Sequence, residues 1–224
     1  MKKHWKKILL VLSALLIPLW VFSDPPVYFA KEIRGQIVDA ETGQALKGVV
    51  VVATWQVYAI GIGSGGYGGS INTIEVLTDQ NGKYFIPGWG PRPRPLLTYL
   101  DSRDPELRFF KPNYYPDGRS NALHSYENRD ISMVRTSEWD GKVIKLTPFK
   151  GNNWHDYSNK LDSIWSPFGD CLRECPRLVL TLDKESKRIM ILAPKEPFIP
   201  QILNIDNFFE ADRKFLMRFK DENK

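Results

Sequence analysis

The sequence has few of the residues that build metal or redox centres. Its 224 residues include two cysteines and three histidines. Cys171 and Cys175 have a CxxxC spacing, which is not the CxxC of a thiol redox enzyme, and no second pair exists to complete a zinc site. A catalytic zinc normally needs three protein ligands, and only two histidines, His124 and His155, lie outside the N-terminal segment. We therefore expect no metal, no cofactor and no catalytic centre.

Long apolar runs are confined to the N-terminus, where residues 1–23 resemble an export segment. Four lysines within the first seven residues precede an uncharged apolar run, Ile8 to Phe22, an order typical of a signal peptide. Val21 and Ser23 fit a signal-peptidase site, which predicts cleavage before Asp24. An uncleaved signal anchor is the alternative, although a spanning helix needs roughly 20 apolar residues. No cysteine follows the run, which excludes a lipoprotein.

The excess of positive charge belongs mostly to this export segment. The formal net charge is +5, and removing its four lysines leaves about +1. A nearly neutral mature chain gives no electrostatic reason to expect nucleic acid as a partner. We expect an exported protein, periplasmic or anchored by the N-terminal segment, which is also its single membrane contact. The expected partner is an envelope protein or a glycan.

Alternating apolar and polar residues predict β-strands over 32–150. The strongest strand is Val49 to Ile60, whose odd positions are apolar as far as Val57, so Trp55 is expected in the core and Gln56 on a mixed face. Other strands are predicted near 33–40, 73–79, 83–89, 96–100, 107–110 and 142–146. Many short strands separated by turn signals favour a sandwich.

Linkers and loops are predicted where glycine, proline or polar residues cluster. Residues 24–31 are expected to be a linker, and prolines 91, 93 and 95 a rigid connection. The Gly61–Ser70 segment contains GxGxG, but a phosphate cradle requires a following helix, so a flexible hairpin loop is predicted. Asp117–Asp140 is predicted to be a long loop. Because binding residues concentrate on loops, function is expected there.

From residue 151 the apolar spacing becomes helical. Trp154, Tyr157, Leu161 and Ile164 recur at the helical period. Residues 177–192 fit either a helix that Pro176 begins or a hairpin, and both alternatives stay open. An apolar stripe between residues 202 and 219 predicts a terminal helix. The 151–224 region is therefore expected to be a helical extension that docks on the sandwich.

The two cysteines lie in this extension. In an oxidising compartment a lone pair usually forms a disulfide, and a separation of four helical residues is close enough to allow it. A structural bridge between Cys171 and Cys175 is predicted, with two buried thiols as the alternative.

Two motifs resemble those of carboxypeptidase regulatory-like domains. The first is the run IRGQIVDAETGQALKGV, residues 33–49, and the second is LTDQNGKYFIP, residues 77–87. The resemblance covers about 32–150 and implies a seven-stranded, Greek-key, transthyretin-like sandwich. Lys111 to Tyr115 is similar to the strand end where the family carries Pro-Gly-Tyr, with Asn113 in place of glycine. Ala45 replaces the usual proline, and the glycine-rich loop and 117–140 are insertions.

The resemblance implies a role without chemistry. In carboxypeptidases this domain accompanies a separate zinc peptidase domain, and the resemblance does not extend to that catalytic domain. Transthyretin-like hydrolases that open a purine-derived ring end in Tyr-Arg-Gly-Ser, whereas this sequence ends in KDENK. We therefore expect a non-catalytic binding or structural module of the cell envelope.

Aromatic residues near strand ends are the candidate binding surface, because exposed rings stack on sugars or protein partners. A carbohydrate-binding module is one alternative function and requires aligned, exposed rings. A hydrolase is another, and requires His124 or His155 to meet carboxylates in a cleft. The candidate surface residues are Tyr67, Trp89, Tyr114, Tyr115 and Trp139.

Overall fold

Two β-sheets packed across a shared apolar core form the centre of the protein. The computed structural model describes residues 24–60, 66–122, 132–165, 173–193 and 210–223. Within these ranges the chain forms eleven strands and three helices. They are β1 (Val27–Ala30), β2 (Ile33–Asp39), β3 (Val50–Ala59), β4 (Tyr67–Leu77), β5 (Lys83–Ile86), β6 (Trp89–Pro93), β7 (Thr98–Leu100), β8 (Glu106–Phe110), β9 (Asp117–Arg119), β10 (Val134–Arg135), β11 (Lys142–Leu146), α1 (Trp154–Trp165), α2 (Pro176–Leu192) and α3 (Glu210–Glu222).

The strands are arranged in three sheets. Sheet 1 has the order β11-β2-β5, with β11 parallel and β5 antiparallel to β2. Sheet 2 has the antiparallel order β4-β3-β8-β9, and β7 pairs with the end of β3. A small third sheet has the order β10-β1-β6. The predicted mainly β sandwich with a helical C-terminal part is confirmed. The seven-stranded Greek-key detail is not confirmed, because the described residues form eleven strands, of which β1, β6 and β10 make a third sheet.

The inner faces of sheets 1 and 2 share one apolar cluster. Trp55 is fully buried there, as the alternation in β3 predicted, and the indole ring of Trp89 meets it edge-on at 5.1 Å between centroids. The cluster takes side chains from both sheets, among them Ile37, Val51, Ala53, Val57, Tyr84, Ile86, Leu107, Phe109, Ile144 and Leu146.

The first motif and the second motif meet as neighbouring strands of sheet 1. Gly35 in β2 pairs directly with Tyr84 in β5. The Tyr84 ring lies on Gly35, so that a Cβ added there would come within 2.4 Å of the tyrosine hydroxyl oxygen. A glycine is required at position 35 because the aromatic side chain occupies the space of its missing Cβ.

The turn of the second motif is fixed by hydrogen bonds to its own backbone and to the first motif. Asp79 Oδ1 accepts from the amides of Asn81 and Lys83, each at 2.8 Å. Thr78 Oγ1 donates to the Leu46 carbonyl at 2.6 Å and accepts from the Val49 amide at 2.9 Å. These contacts join the TDQNG turn to the end of the first motif.

The opposite face of sheet 2 is covered by the helices. Val50, Val52 and Phe110 form a second apolar cluster with residues of α1, α2 and α3. Sheet 2 is therefore buried on both sides, and eight consecutive residues of β3 from Val50 are buried. Gln56, which the sequence places on the mixed face of β3, is also buried, at 7 % exposed.

A carboxylate of sheet 2 holds the beginning of α2. Glu75 in β4 accepts hydrogen bonds from the amides of Arg177 and Leu178, at 3.0 and 2.7 Å. These amides belong to the first turn of α2, where backbone donors lack helical acceptors. Burial raises the pKa of Glu75, while the two amides and the Arg177 guanidinium lower it in part.

Several predicted connections contain regular structure. Residues 24–31, expected as a linker, contribute β1, which pairs with β6 through the proline-rich segment. The predicted Gly61–Ser70 loop is shorter, because β4 begins at Tyr67; residues 61–65 lie outside the described ranges. The 117–140 loop includes β9 and β10, and 123–131 lie outside the described residues. The structure differs from the prediction in each of these segments because an edge strand forms by pairing with a strand elsewhere in the chain. Local composition does not encode that pairing.

The helical extension agrees with the sequence, and 177–192 is the helix that Pro176 begins rather than a hairpin. Cys175 is fully buried and disulfide-bonded. Cys171 lies outside the described residues, so its pairing stays a prediction. The export segment 1–23 and its cleavage site also lie outside them. Of the helices that the structure describes, none has the length and apolar character to cross a membrane.

Candidate functional site

The helix-facing side of sheet 2 changes from apolar to polar along β3 and β8. On β3 the side chains run from Val50 and Val52 to Thr54 and Gln56, and the partner residues on β8 run from Phe110 to Glu106. The helices pack on the apolar part. At the polar part a pocket of about 310 Å³ opens between β8, β9 and α1. We call it the junction pocket; it is lined by Glu106, Arg108, Pro116, Asp117, Gly118, Arg119, Ser120, Lys160, Ser163 and Ile164.

A buried arginine paired with a half-buried glutamate forms one wall of the junction pocket. Arg108 is 3 % exposed, and its Nε and Nη2 atoms bind the two oxygens of Glu106 at 2.9 and 2.8 Å. Its Nη1 donates to the Ile164 carbonyl at 2.7 Å, which connects β8 to α1. Burial lowers the pKa of Arg108 and Glu106 opposes that effect, so the guanidinium stays charged.

The glutamate of this pair is held from a second side. Gln56 Nε2 donates to Glu106 Oε2 at 2.8 Å, and the Tyr58 hydroxyl donates to Gln56 Oε1 at 2.9 Å. A chain of hydrogen bonds therefore runs from Tyr58 to the helix backbone. Such a satisfied network fixes its side chains in one arrangement, and the pocket wall is preorganised.

Two cations at the edge of the pocket rest on aromatic rings. The Arg119 guanidinium lies 5.1 Å from the Trp139 ring centroid and binds Asp117 at 2.8 Å. Lys160 Nζ lies 4.3 Å from the Tyr115 ring centroid. Cation–π contacts of this length favour a defined position of the charge. Trp139 and Tyr115 thus support pocket cations instead of presenting bare rings.

Tyr67 is the most exposed of the predicted aromatics, at 43 %. Its ring meets Tyr58 edge-on at 6.3 Å, and Tyr58 stacks on Tyr99 at 5.8 Å. Tyr67 of β4 also pairs with Tyr58 of β3 in the sheet. It therefore belongs to the same polar end of sheet 2 as the junction pocket.

Trp89 and Tyr114 lie elsewhere and have structural contacts. Trp89 packs on Trp55, as described above. The Tyr114 hydroxyl donates to Asp39 Oδ2 at 2.9 Å, and backbone hydrogen bonding from Thr42, followed by this bond, lowers the pKa of Asp39. The structure thus places three of the five predicted aromatics near the junction pocket and two away from it.

A second polar cluster precedes β8. Asp104 is 3 % exposed, and burial raises its pKa well above the usual value. Burial also opposes ionisation of Asp101, but hydrogen bonds from Arg103 outweigh it and lower that pKa. Carboxyl groups with separated pKa values are typical of acid–base pairs. Here, however, Asn121 Nδ2 donates to the Asp104 backbone carbonyl at 2.7 Å. The cluster therefore holds the loop before β8 in place.

The histidines form no recognised site among the described residues. His155 is in the first turn of α1, where its Nε2 lies 3.1 Å from the Asn159 amide nitrogen. His124 lies outside the described ranges, so its meeting with His155 is untested. No group of three or more metal-ligating side chains is found in the described part of the chain.

Sequence reasoning missed the residues that form the pocket wall. Glu106 and Arg108 alternate with Leu107 and Phe109. That pattern predicts a strand with charged side chains on one face and core side chains on the other. It is the feature of the sequence from which Glu106 and Arg108 could have been found. The contribution of Lys160 had no such signal, because it depends on where α1 docks.

No family model and no curated protein matches the sequence. Among solved structures, a streptococcal ancillary pilin is 12 % identical over 56 % of this chain and 30 % of its own, with a TM-score of 0.24. The pilus 2b backbone protein of group B streptococcus is 11 % identical over 54 % and 42 %, with a TM-score of 0.27. A 9R-lipoxygenase from Cyanothece is 17 % identical over 78 % and 26 %, with a TM-score of 0.25. The chain spans less than half of each, and such TM-scores carry no functional argument.

Proposed function

We propose that the chain is an exported, non-catalytic binding module of the cell envelope that takes a saccharide-sized polar ligand in the junction pocket. The observation that carries this proposal is the pair of buried Arg108 and half-buried Glu106, which is held in place by Gln56 and the Ile164 carbonyl. Such fixed polar groups recognise a ligand's hydroxyl or carboxylate groups at little cost in side-chain entropy. The volume of about 310 Å³ suits a small ligand.

The pocket's own chemistry supports a binding role over a hydrolytic one. Both carboxylates that line it are paired, Glu106 with Arg108 and Asp117 with Arg119. The Ser163 hydroxyl donates to the Lys160 carbonyl at 2.8 Å, so no base activates it. A nucleophile requires an adjacent base, which these contacts do not provide.

Two further observations support the cellular setting and the family resemblance. The disulfide of Cys175 fits an oxidising compartment, in agreement with the export segment. The Gly35–Tyr84 pair and the Thr78 hydrogen bonds give structural reasons for the residues shared with carboxypeptidase regulatory-like domains. We include that family assignment in the proposal.

The test is saccharide binding to the mature chain, measured by isothermal titration calorimetry with glucuronic acid, N-acetylglucosamine and cellobiose. The double variant Arg119→Ala/Lys160→Ala removes the edge cations and should weaken binding of the preferred sugar at least ten-fold. Lys150→Ala, an exposed lysine paired with Glu41, is the matched control and should bind as the wild type does. Equal binding by all three proteins, or no binding of any sugar, would overturn the proposal. Release of a hydrolysis product would favour the hydrolase alternative.

A further inference from the structure

Beyond the polar part of sheet 2, the chain forms an exposed aliphatic tip. The residue that follows β3 lies beside the segment that leads into β7, where the Ile60 amide donates to the Leu97 carbonyl at 2.7 Å. The exposed fractions are 82 % for Leu96, 50 % for Leu97 and 45 % for Ile60. We call these three residues the aliphatic tip. Isolated exposed apolar side chains are ordinary on a protein surface, whereas adjoining ones mark interaction sites.

Arg94 holds the backbone on both sides of the two leucines. Its amide donates to the Pro26 carbonyl at 2.8 Å, and its Nε donates to the Pro25 carbonyl at 3.1 Å. Its Nη1 donates to the Thr98 carbonyl, and the Thr98 hydroxyl donates to the Pro95 carbonyl at 2.7 Å. These bonds close the loop, so the leucines are presented to solvent in a fixed position.

Leu97 has a left-handed backbone, with a φ of 58°. Glycine or asparagine would adopt this conformation at a lower cost than leucine does. Strained backbone of this kind persists where surrounding contacts enforce it, and it is concentrated at binding sites. Both the backbone strain and the exposure to solvent disfavour leucine here, which indicates that the side chain has a use outside the fold.

A row of three tyrosines lies behind the aliphatic tip. The register pairs Tyr58 with Tyr67 on one side and with Tyr99 on the other, and the three rings are in contact. We call these residues the tyrosine row. Ile60 is two positions after Tyr58 and Gln56 is two positions before it, so all three side chains point to the same face. Along this face, aliphatic side chains are therefore followed by aromatic ones and then by polar ones.

This order matches the change in polarity across a membrane surface. Tyrosine is enriched at the level of the lipid headgroups, because its ring is apolar and its hydroxyl binds water. Aliphatic side chains beyond the tyrosines enter the acyl boundary, while polar groups stay in water. The charges agree with this arrangement. Residues 87–100 contain two arginines and no acidic residue, and the described ends of β3 and β4, residues 57–60 and 66–74, contain no charged residue.

The N-terminal segment joins the sandwich beside the aliphatic tip. Pro25 and Pro26 are the residues whose carbonyls Arg94 binds. The apolar run ends at Phe22, three residues before Pro25, and three residues span at most about 10 Å. The segment that we expect to enter a membrane is therefore connected to the fold at the place where the leucines are exposed.

We propose that the aliphatic tip inserts into a membrane surface, with the tyrosine row at the headgroups, as a contact additional to the N-terminal segment. The proposal is independent of ligand binding in the junction pocket. Thr54, which pairs with Glu106 of that pocket, is six residues from Ile60, or roughly 20 Å along the strand. Insertion to a depth of about 5–10 Å therefore leaves the pocket in water.

The first experiment places an environment-sensitive dye at the tip of the full chain. Leu96→Cys is labelled and reconstituted into vesicles of phosphatidylethanolamine and phosphatidylglycerol. Ile191→Cys in α2, where the native residue is 77 % exposed, is the matched control, and the parent chain carried through the same labelling gives the background. Emission from position 96 should shift to shorter wavelength than in residues 24–224 in buffer, whereas emission from position 191 should not. An unshifted emission from position 96 would overturn the proposal.

The second experiment measures vesicle binding of residues 24–224, which contain every strand and helix described above. Leu96→Ser/Leu97→Asn removes the apolar side chains, and asparagine tolerates the left-handed backbone. Partitioning in co-sedimentation should fall more than about ten-fold, which corresponds to roughly one leucine side chain withdrawn from water. Val143→Thr/Ile191→Ser changes two other exposed aliphatic residues and should leave partitioning nearly unchanged.

Equal loss in both double variants, or no vesicle binding by the parent form of residues 24–224, would contradict the proposal. So would a dimer in lipid-free analytical ultracentrifugation that Leu96→Ser/Leu97→Asn dissociates, because a second copy of the chain would then cover the tip. The pocket variant Arg119→Ala/Lys160→Ala should bind vesicles as the parent does. Failure of membrane insertion is thereby distinguished from failure of saccharide binding.

Discussion

Sheets 1 and 2 have equivalent inner faces but opposite outer faces. Both send Ile, Val, Leu and aromatic side chains into the shared core. On the outside, sheet 2 presents Val50, Val52 and Phe110 to the helices, whereas sheet 1 presents Arg34 and Lys83 to solvent. The residue composition of each outer face therefore depends on whether helices or solvent cover that face. A strand covered on both sides loses its alternation, which is what β3 shows.

The largest expected effect comes from the core that both sheets share. Trp55→Ala should lower the free energy of unfolding by about 3–5 kcal/mol, because it removes the largest fully buried side chain and leaves a cavity. Chemical denaturation measures the change. Gln56→Ala should cost about 1–3 kcal/mol, since it leaves Glu106 without one of its donors. A cost for Gln56→Ala as large as that for Trp55→Ala would contradict the assignment of Trp55 to the core.

The covered outer face of sheet 2 should be nearly as sensitive as a core. Val52 is fully buried against the helical layer, so Val52→Ala should cost about 2 kcal/mol from lost apolar burial and an incomplete cavity collapse. Thermal and chemical denaturation both measure this change in the free energy of unfolding. A change below about 0.5 kcal/mol would mean that the helices do not dock on sheet 2 in solution.

The glycine–tyrosine pair of sheet 1 gives the next test. Gly35→Ala places a Cβ against the Tyr84 ring, and such overpacking typically costs about 1–3 kcal/mol. Gly118→Ala in β9 meets no atom within 4 Å and is the matched control with an expected change near zero. If Gly35→Ala were as stable as Gly118→Ala, the close approach of Tyr84 would be wrong.

The sandwich was predictable because its signals are local. The period of two in β3, the TDQNG turn and the helical spacing after Trp154 each act within about ten residues. The covering of sheet 2, by contrast, depends on how Glu75 meets the first turn of α2, about a hundred positions away in sequence. The third sheet also depends on distant pairing, of β1 with β6 and β10.

The candidate site was predictable only in part. Tyr67, Tyr115 and Trp139 were identified as aromatics near strand ends, and they lie near the junction pocket. Trp89 has the same local sequence character, yet it packs on Trp55. Composition alone does not distinguish an aromatic ring that supports a cation from one that fills a core, because the difference arises from tertiary packing.

Glu75 provides a pH-dependent test of the contact between sheet 2 and α2. Burial raises its pKa above the usual 4.5, so the folded state holds this proton more tightly than the unfolded state does. Its contribution to stability is complete below about pH 4.5 and falls as the pH rises through the folded pKa. Glu75→Gln keeps an acceptor without the charge. The stability of the wild type relative to Glu75→Gln should therefore decrease over that interval in urea titrations. A constant difference would contradict the raised pKa.

The smallest expected effect belongs to the uncovered face of sheet 1 and completes the comparison with Val52. Val143 is also a valine in a strand, but it is 54 % exposed on the outer face of sheet 1. Because little apolar surface leaves water there on folding, Val143→Ala should change the free energy of unfolding by no more than about 0.5 kcal/mol. The same urea titrations measure both valines, and the pair differs in exposure but not in chemistry. A cost for Val143→Ala equal to that for Val52→Ala would mean that the outer face of sheet 1 is covered in solution.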